Sequence, residues 1–147
     1  MNRPTFISSV VYRDQRAAIA WLEKAFGFEL SEVLEDGDGK ILHAEMTFGE
    51  GIIMIGSEWF EWARSPANVD GKNTQRVHVH LDTDVDAHCA RARAAGAVIV
   101  GEPQDQFYGE RTYGVRDPEG HHWSFSQTQR EVSWDEMRRM AKSGQFS

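Results

Sequence analysis

The sequence predicts an α+β chain of two tandem βαβββ modules forming a concave sheet. Three observations carry this reading: two helix signatures recur about 70 positions apart, short strands flank each in the same order, and one helix shields only one face of a four-stranded sheet, so the halves must pack together. The first helix opens at Asp14, a good N-cap, carries Ile19, Trp21, Leu22, Ala25 and Phe26 on one stripe, and stops at Gly27. The second opens at Asp84, carries Val85, Cys89, Ala92 and Ala95 at helical spacing, and stops at Gly96. The caps stand 70 residues apart and the stops 69, a spacing that unrelated segments rarely share.

Strands are predicted at residues 6–12, 28–34, 41–48 and 52–55 in the first half, and at 77–82, 97–100, 111–116 and 122–127 in the second. The last two are joined by Asp117-Pro118-Glu119-Gly120, with the residues a type I turn prefers. Alternation assigns the faces: Leu42, Ala44, Met46 and Phe48 oppose His43, Glu45 and Thr47; Val77, Val79 and Leu81 oppose His78 and His80; Trp123 and Phe125 oppose His122, Ser124 and Ser126. A helix-covered apolar face and a concave polar face follow. Residues 1–147 read as one domain: a module over 4–57, a linking loop over 58–75, a module over 76–129, and a helix over 133–142 opened by the capping box Ser133 and Glu136.

Composition narrows the function classes. A chain of 147 residues with 40% hydrophobic content can bury a sizeable core, and its apolar runs are too short for a membrane span. A net charge of −7 repels polyanions, which argues against nucleic acid and anionic membrane surfaces and favours a small neutral or cationic partner. The single Cys89 cannot form an internal disulfide and reads as a core thiol, so a cytoplasmic location is expected. Asp36-Gly37-Asp38-Gly39 fails as an EF-hand because Thr47 stands where its last carboxylate would, and neither a Walker loop nor a zinc cysteine cluster is present.

The paired modules, the stretch Tyr12-Arg13-Asp14 to Trp21-Leu22-Glu23-Lys24-Ala25-Phe26-Gly27-Phe28, and Asp84-Val85-Asp86-Ala87 resemble the vicinal-oxygen-chelate superfamily of glyoxalase I, bleomycin-resistance proteins, fosfomycin-resistance enzymes and extradiol dioxygenases. The run from Tyr108-Gly109-Glu110-Arg111 through Asp117-Pro118-Glu119-Gly120-His121-His122-Trp123 is similar to its PhnB-like, glyoxalase/bleomycin-resistance-type branch. The resemblance implies the glyoxalase/bleomycin resistance/dioxygenase fold, a homodimer, and a cleft in which metal-using members place four ligands. Those positions fall on Ile7, Glu45, His78 and Ser124, of which two can ligate. No cofactor is therefore expected. The alternative is a divalent ion (Zn, Ni, Fe or Mn) held by Glu45 and His78 with His43 or His80, serving a lyase, isomerase or dioxygenase.

Glu45 is the candidate catalytic group, since a carboxylate in an apolar-walled cleft can have a raised pKa and act as a general base; a structural pair with His78 or Arg111 is the alternative. The candidate ligand-binding residues are His43, Trp59, Trp62, His78, His80, Tyr108, Arg111, Tyr113, His122 and Ser124. Arg111 and Tyr113 share a strand face suited to an anionic or carbonyl group, or to a cross-strand salt bridge. His121 reads as structural. Trp59, Phe60 and Trp62 in a loop rich in Gly, Pro and Asn suit stacking on a planar molecule, as the bleomycin-resistance resemblance implies, or a hydrophobic plug or an apolar contact with a second chain. The expected function is binding of a small planar or cationic organic molecule without a metal.

Overall fold

A computed structural model describes residues 3–145. In chain order these form β1 (Ser8–Tyr12), α1 (Gln15–Phe26), β2 (Glu29–Glu35), β3 (Ile41–Phe48), β4 (Gly51–Ser57), β5 (Val77–Leu81), α2 (Val85–Ala94), β6 (Val98–Asp105), β7 (Glu110–Arg116), β8 (His122–Thr128) and α3 (Trp134–Ser143), with a 3-10 turn at Pro66–Asn68 in the linker. Each module makes one mixed four-stranded sheet, in the orders β1-β4-β3-β2 and β5-β8-β7-β6. The first strand of each module therefore lies at an edge, parallel to the module's last strand, while the remaining pairs are antiparallel.

Local chemistry sets the helix ends. The Asp14 side chain accepts a hydrogen bond from the Ala17 N–H at 3.0 Å, and Asp84 does the same for Ala87 at 3.0 Å. Gly27 closes α1 with φ of 78°, a left-handed conformation that glycine adopts without strain. Ser133 caps α3 by accepting from the Glu136 N–H at 3.1 Å, as the capping signature predicts.

One apolar core spans both modules. Its hub is the fully buried Phe26, whose ring meets Phe125, Trp21, Trp123 and Phe28 edge to face at centroid distances of 4.7, 5.0, 5.4 and 5.5 Å. A polar clamp joins the modules beside it. Asp117, buried in the turn before β8, accepts from the Tyr12 hydroxyl at 2.6 Å and the Trp123 indole N–H at 3.1 Å through Oδ2. Its Oδ1 accepts from the Glu119 and His121 N–H groups, both at 3.0 Å. From the same turn, His121 Nε2 donates to the Val11 carbonyl at 2.6 Å, and the Glu119 carboxylate accepts from the backbone N–H groups of Arg13 and Asp14. The Asp-Pro-Glu-Gly-His motif thus fastens the second module to the first.

Parity fails at one place in β3. Leu42, assigned to the apolar face, is 46% exposed, whereas Ile41 is 4% exposed and joins the core. The β2–β3 register shifts between Leu34 and Glu35, and such a bulge turns the following side chain to the opposite face.

A third tie between the modules is sensitive to acid. His88 on α2 donates through Nε2 to the Phe26 carbonyl at 2.9 Å, so its Nδ1 must accept from the Tyr113 hydroxyl at 2.6 Å. That arrangement requires a neutral ring, and burial holds the His88 pKa below its ordinary value. The unfolded chain therefore binds the proton more readily, and this stability is present above about pH 6.5 and lost as pH falls through the folded pKa. His78 is displaced in the same direction by burial and by Arg76. The urea midpoint should drop between about pH 7.5 and about pH 5.5, and His88→Gln should flatten the decline; a level wild-type profile would contradict the assignment.

Candidate functional site

Two cavities are lined jointly by β1 and β5, the edge strands of the two sheets, and its neighbours. The larger, about 1030 Å³, has an apolar wall of Phe28, Met46, Phe48 and Ile53 from the first module and Val77, Val79 and Leu81 from the second. Met46, Phe48, Val77, Val79 and Leu81 are the alternate positions that the strand pattern turns toward the core. At the mouth stand Phe6, Thr47, His78 and His80, with the carboxylates of Glu50, Asp82 and Asp84 outnumbering the one guanidinium, Arg91. The Gly49-Glu50-Gly51 turn carries Glu50 to this mouth, and Gly49 takes φ of 56° there. A space of this size, lined by apolar and polar side chains in similar numbers, suits an organic molecule of drug dimensions.

The predicted residues are distributed unevenly over this geometry. His78 and His80 line the larger cavity, and Trp62 and His122 line a smaller one of about 420 Å³. His78 lies across β8, bonded through Nδ1 to the Ser124 hydroxyl at 2.6 Å and through Nε2 to the Ser126 hydroxyl at 3.0 Å. Ser124 is buried beneath it. His80 meets the Thr128 hydroxyl at 2.9 Å. Trp59 rests over Gly56, where a Cβ would come within 3.7 Å of its ring. Tyr108 sits in the β6–β7 loop with its ring edge-on to Phe107 and lines neither of these two cavities.

Two expectations are corrected. The Glu45 carboxyl is not raised toward a base's working range. Arg3 grips both of its oxygens at 3.0 and 2.9 Å and His43 Nε2 approaches at 2.8 Å, and together they hold its pKa at about 2. A carboxylate so stabilised is a feeble proton acceptor at neutral pH, and its partners are Arg3 and His43 rather than His78 or Arg111. Arg111 and Tyr113 do share a face, but it is the helix-covered one, and of the two roles expected for Arg111 the structure shows the cross-strand salt bridge. Arg111 pairs with its β6 register partner Asp105 at 3.0 Å and with Asp86 of α2 at 3.1 Å, and the buried Tyr113 hydroxyl is committed to His88. Their parity with Val115, a core residue, was the signal that placed them there.

Both His78 nitrogens are engaged by serine hydroxyls, Glu45 is clasped by Arg3, and Ile7 has no donor atom. Among the described residues, no three His, Cys, Asp or Glu side chains group closely enough to hold a metal. Sequence reasoning missed Phe6, Thr47, Phe48, Glu50, Asp82 and Asp84 at the larger cavity; Thr47 shares its strand parity with His43 and Glu45, which could have marked it.

Comparison with known proteins places this geometry among relatives. Residues 6–125 match the family described as the Glyoxalase/Bleomycin resistance protein/Dioxygenase superfamily. Uncharacterized proteins of Mycobacterium bovis and Mycobacterium tuberculosis are each 36% identical over 141 residues, covering 92% of this chain and 90% and 81% of theirs. The crystal structure of TioX from Micromonospora sp. ML1 is similar with a TM-score of 0.68 and 36% identity, over 85% of this chain and 98% of that one. That of TnmS3, an antibiotic binding protein from Streptomyces sp. CB03234, has a TM-score of 0.64 at 21% identity, over 83% and 93%. No helix among the described residues is long and apolar enough to cross a membrane.

Proposed function

The chain belongs to the Glyoxalase/Bleomycin resistance protein/Dioxygenase superfamily, and from that premise we propose that it binds a small planar, neutral or cationic organic molecule in the 1030 Å³ cleft between its modules, without a metal. The observation that carries this reading is the cleft itself. Phe6 and Phe48 offer aromatic contact and Val77 and Val79 aliphatic contact, and the surplus of carboxylates in the lining, Glu50, Asp82 and Asp84 against Arg91, draws positive charge. TnmS3, an antibiotic binding protein, has the same fold, which supports the reading at the level of architecture. The PhnB-like resemblance and a homodimer belong to the same proposal. Leu30, Val33, Leu34 and Leu42 are exposed apolar side chains on β2 and β3 of the first sheet, which a second copy would cover in part.

The test is a calorimetric titration with planar organic cations such as acridinium and 1-naphthylmethylammonium. Binding should survive excess EDTA and weaken about tenfold in Phe6→Ser and in Glu50→Gln/Asp82→Asn, a loss of about 1.4 kcal/mol. Binding that appears only with added divalent metal, or that ignores these substitutions, would overturn the proposal.

A further inference from the structure

The smaller cavity, about 420 Å³, has the opposite electrical character, and we propose that it is a separate site for a planar organic anion such as an aromatic carboxylate. The chain carries a net charge of −7, yet none of the residues lining this cavity bears a carboxylate, whereas Arg64, Lys72 and Arg76 do bear positive charge. Lys72 and Arg76 have no carboxylate partner among the described residues. Arg64 spends one guanidinium nitrogen on the Phe60 and Ala63 carbonyls, which neutralises none of its charge. Glu58 lies within the field of Arg64, so the positive charge left for a ligand is that of Lys72 and Arg76.

The planar preference comes from Trp62. Its indole is stacked on Phe60 at 5.0 Å and 6° between planes, and the residue lines the cavity while 81% exposed, so it keeps uncovered aromatic surface for a planar guest. Carboxylate recognition by Arg76 and Lys72 with stacking on Trp62 defines the ligand class.

The experiment compares 1-naphthoate with 1-naphthamide, its neutral isostere, by tryptophan quenching and calorimetry at two salt concentrations. Naphthoate should bind at least tenfold tighter than the amide at low salt, lose most of that margin at high salt, and lose at least tenfold in Lys72→Gln/Arg76→Gln, while Trp62→Leu abolishes the quench. Phe6→Ser and Glu50→Gln/Asp82→Asn, which alter the larger cleft, should leave naphthoate binding unchanged. Equal affinity for acid and amide, indifference to the loss of Lys72 and Arg76, or a loss in the cleft variants instead would overturn the proposal. The cleft reading stands or falls separately, on the cationic ligands alone.

Discussion

Asp117→Ala should lower stability by about 3–5 kcal/mol, the largest polar effect expected in this chain, because one buried carboxylate satisfies four donors. Removing it strands the Tyr12 hydroxyl and the Trp123 N–H inside the core and frees the turn that grips α1. For a domain of this length the loss corresponds to a fall in melting temperature of about 10 °C. Tyr12→Phe deletes one donor along with its need for a partner and should cost less than half as much. Thermal unfolding of the three proteins checks the order. An alanine variant that melts within a degree or two of the parent would show that the clamp contributes little.

Phe26→Ala should cost about 3–5 kcal/mol, through lost transfer energy and a cavity at the junction of the modules. The ring contacts Trp21 and Phe28 of its own module and Trp123 and Phe125 of the other, so no single neighbour can collapse into the space. Phe26→Leu keeps much of the volume but none of the edge-to-face geometry and should fall between. Since Phe26 touches Trp123, and Trp123 donates to Asp117, the Phe26 and Asp117 substitutions should not be additive. A double-mutant cycle by urea denaturation should show coupling above about 0.5 kcal/mol.

The parts of this architecture legible in the sequence are those decided within a few residues. Asp14, Asp84 and Ser133 cap helices because a short polar side chain reaches the next turn whatever surrounds it, and Gly27 ends one because it tolerates a positive φ. Strand parity likewise sorted Ala44 and Met46 from His43. It misplaced Leu42 because a bulge depends on the partner strand, which parity ignores. The site was less legible for the same kind of reason. Alternation with the apolar Val115 points Arg111 and Tyr113 to the helix-covered face, but two polar side chains on one strand drew the reading to the concave one. The environment of Glu45 is set by Arg3, 42 positions away, and no local pattern announces that contact. Lys72 in the linker and Arg76 just before β5 drew no notice because a basic side chain becomes informative only when the cavity it lines, and the lack of carboxylates in that lining, can be seen.

Val77 lines both cavities, and it sits on β5, a strand with a hydrogen-bonded neighbour on one flank only. The two chambers therefore share a party wall anchored along a single side. A guest pressing on that wall from one chamber takes room from the other, so the two occupants would sense each other through the thickness of one residue.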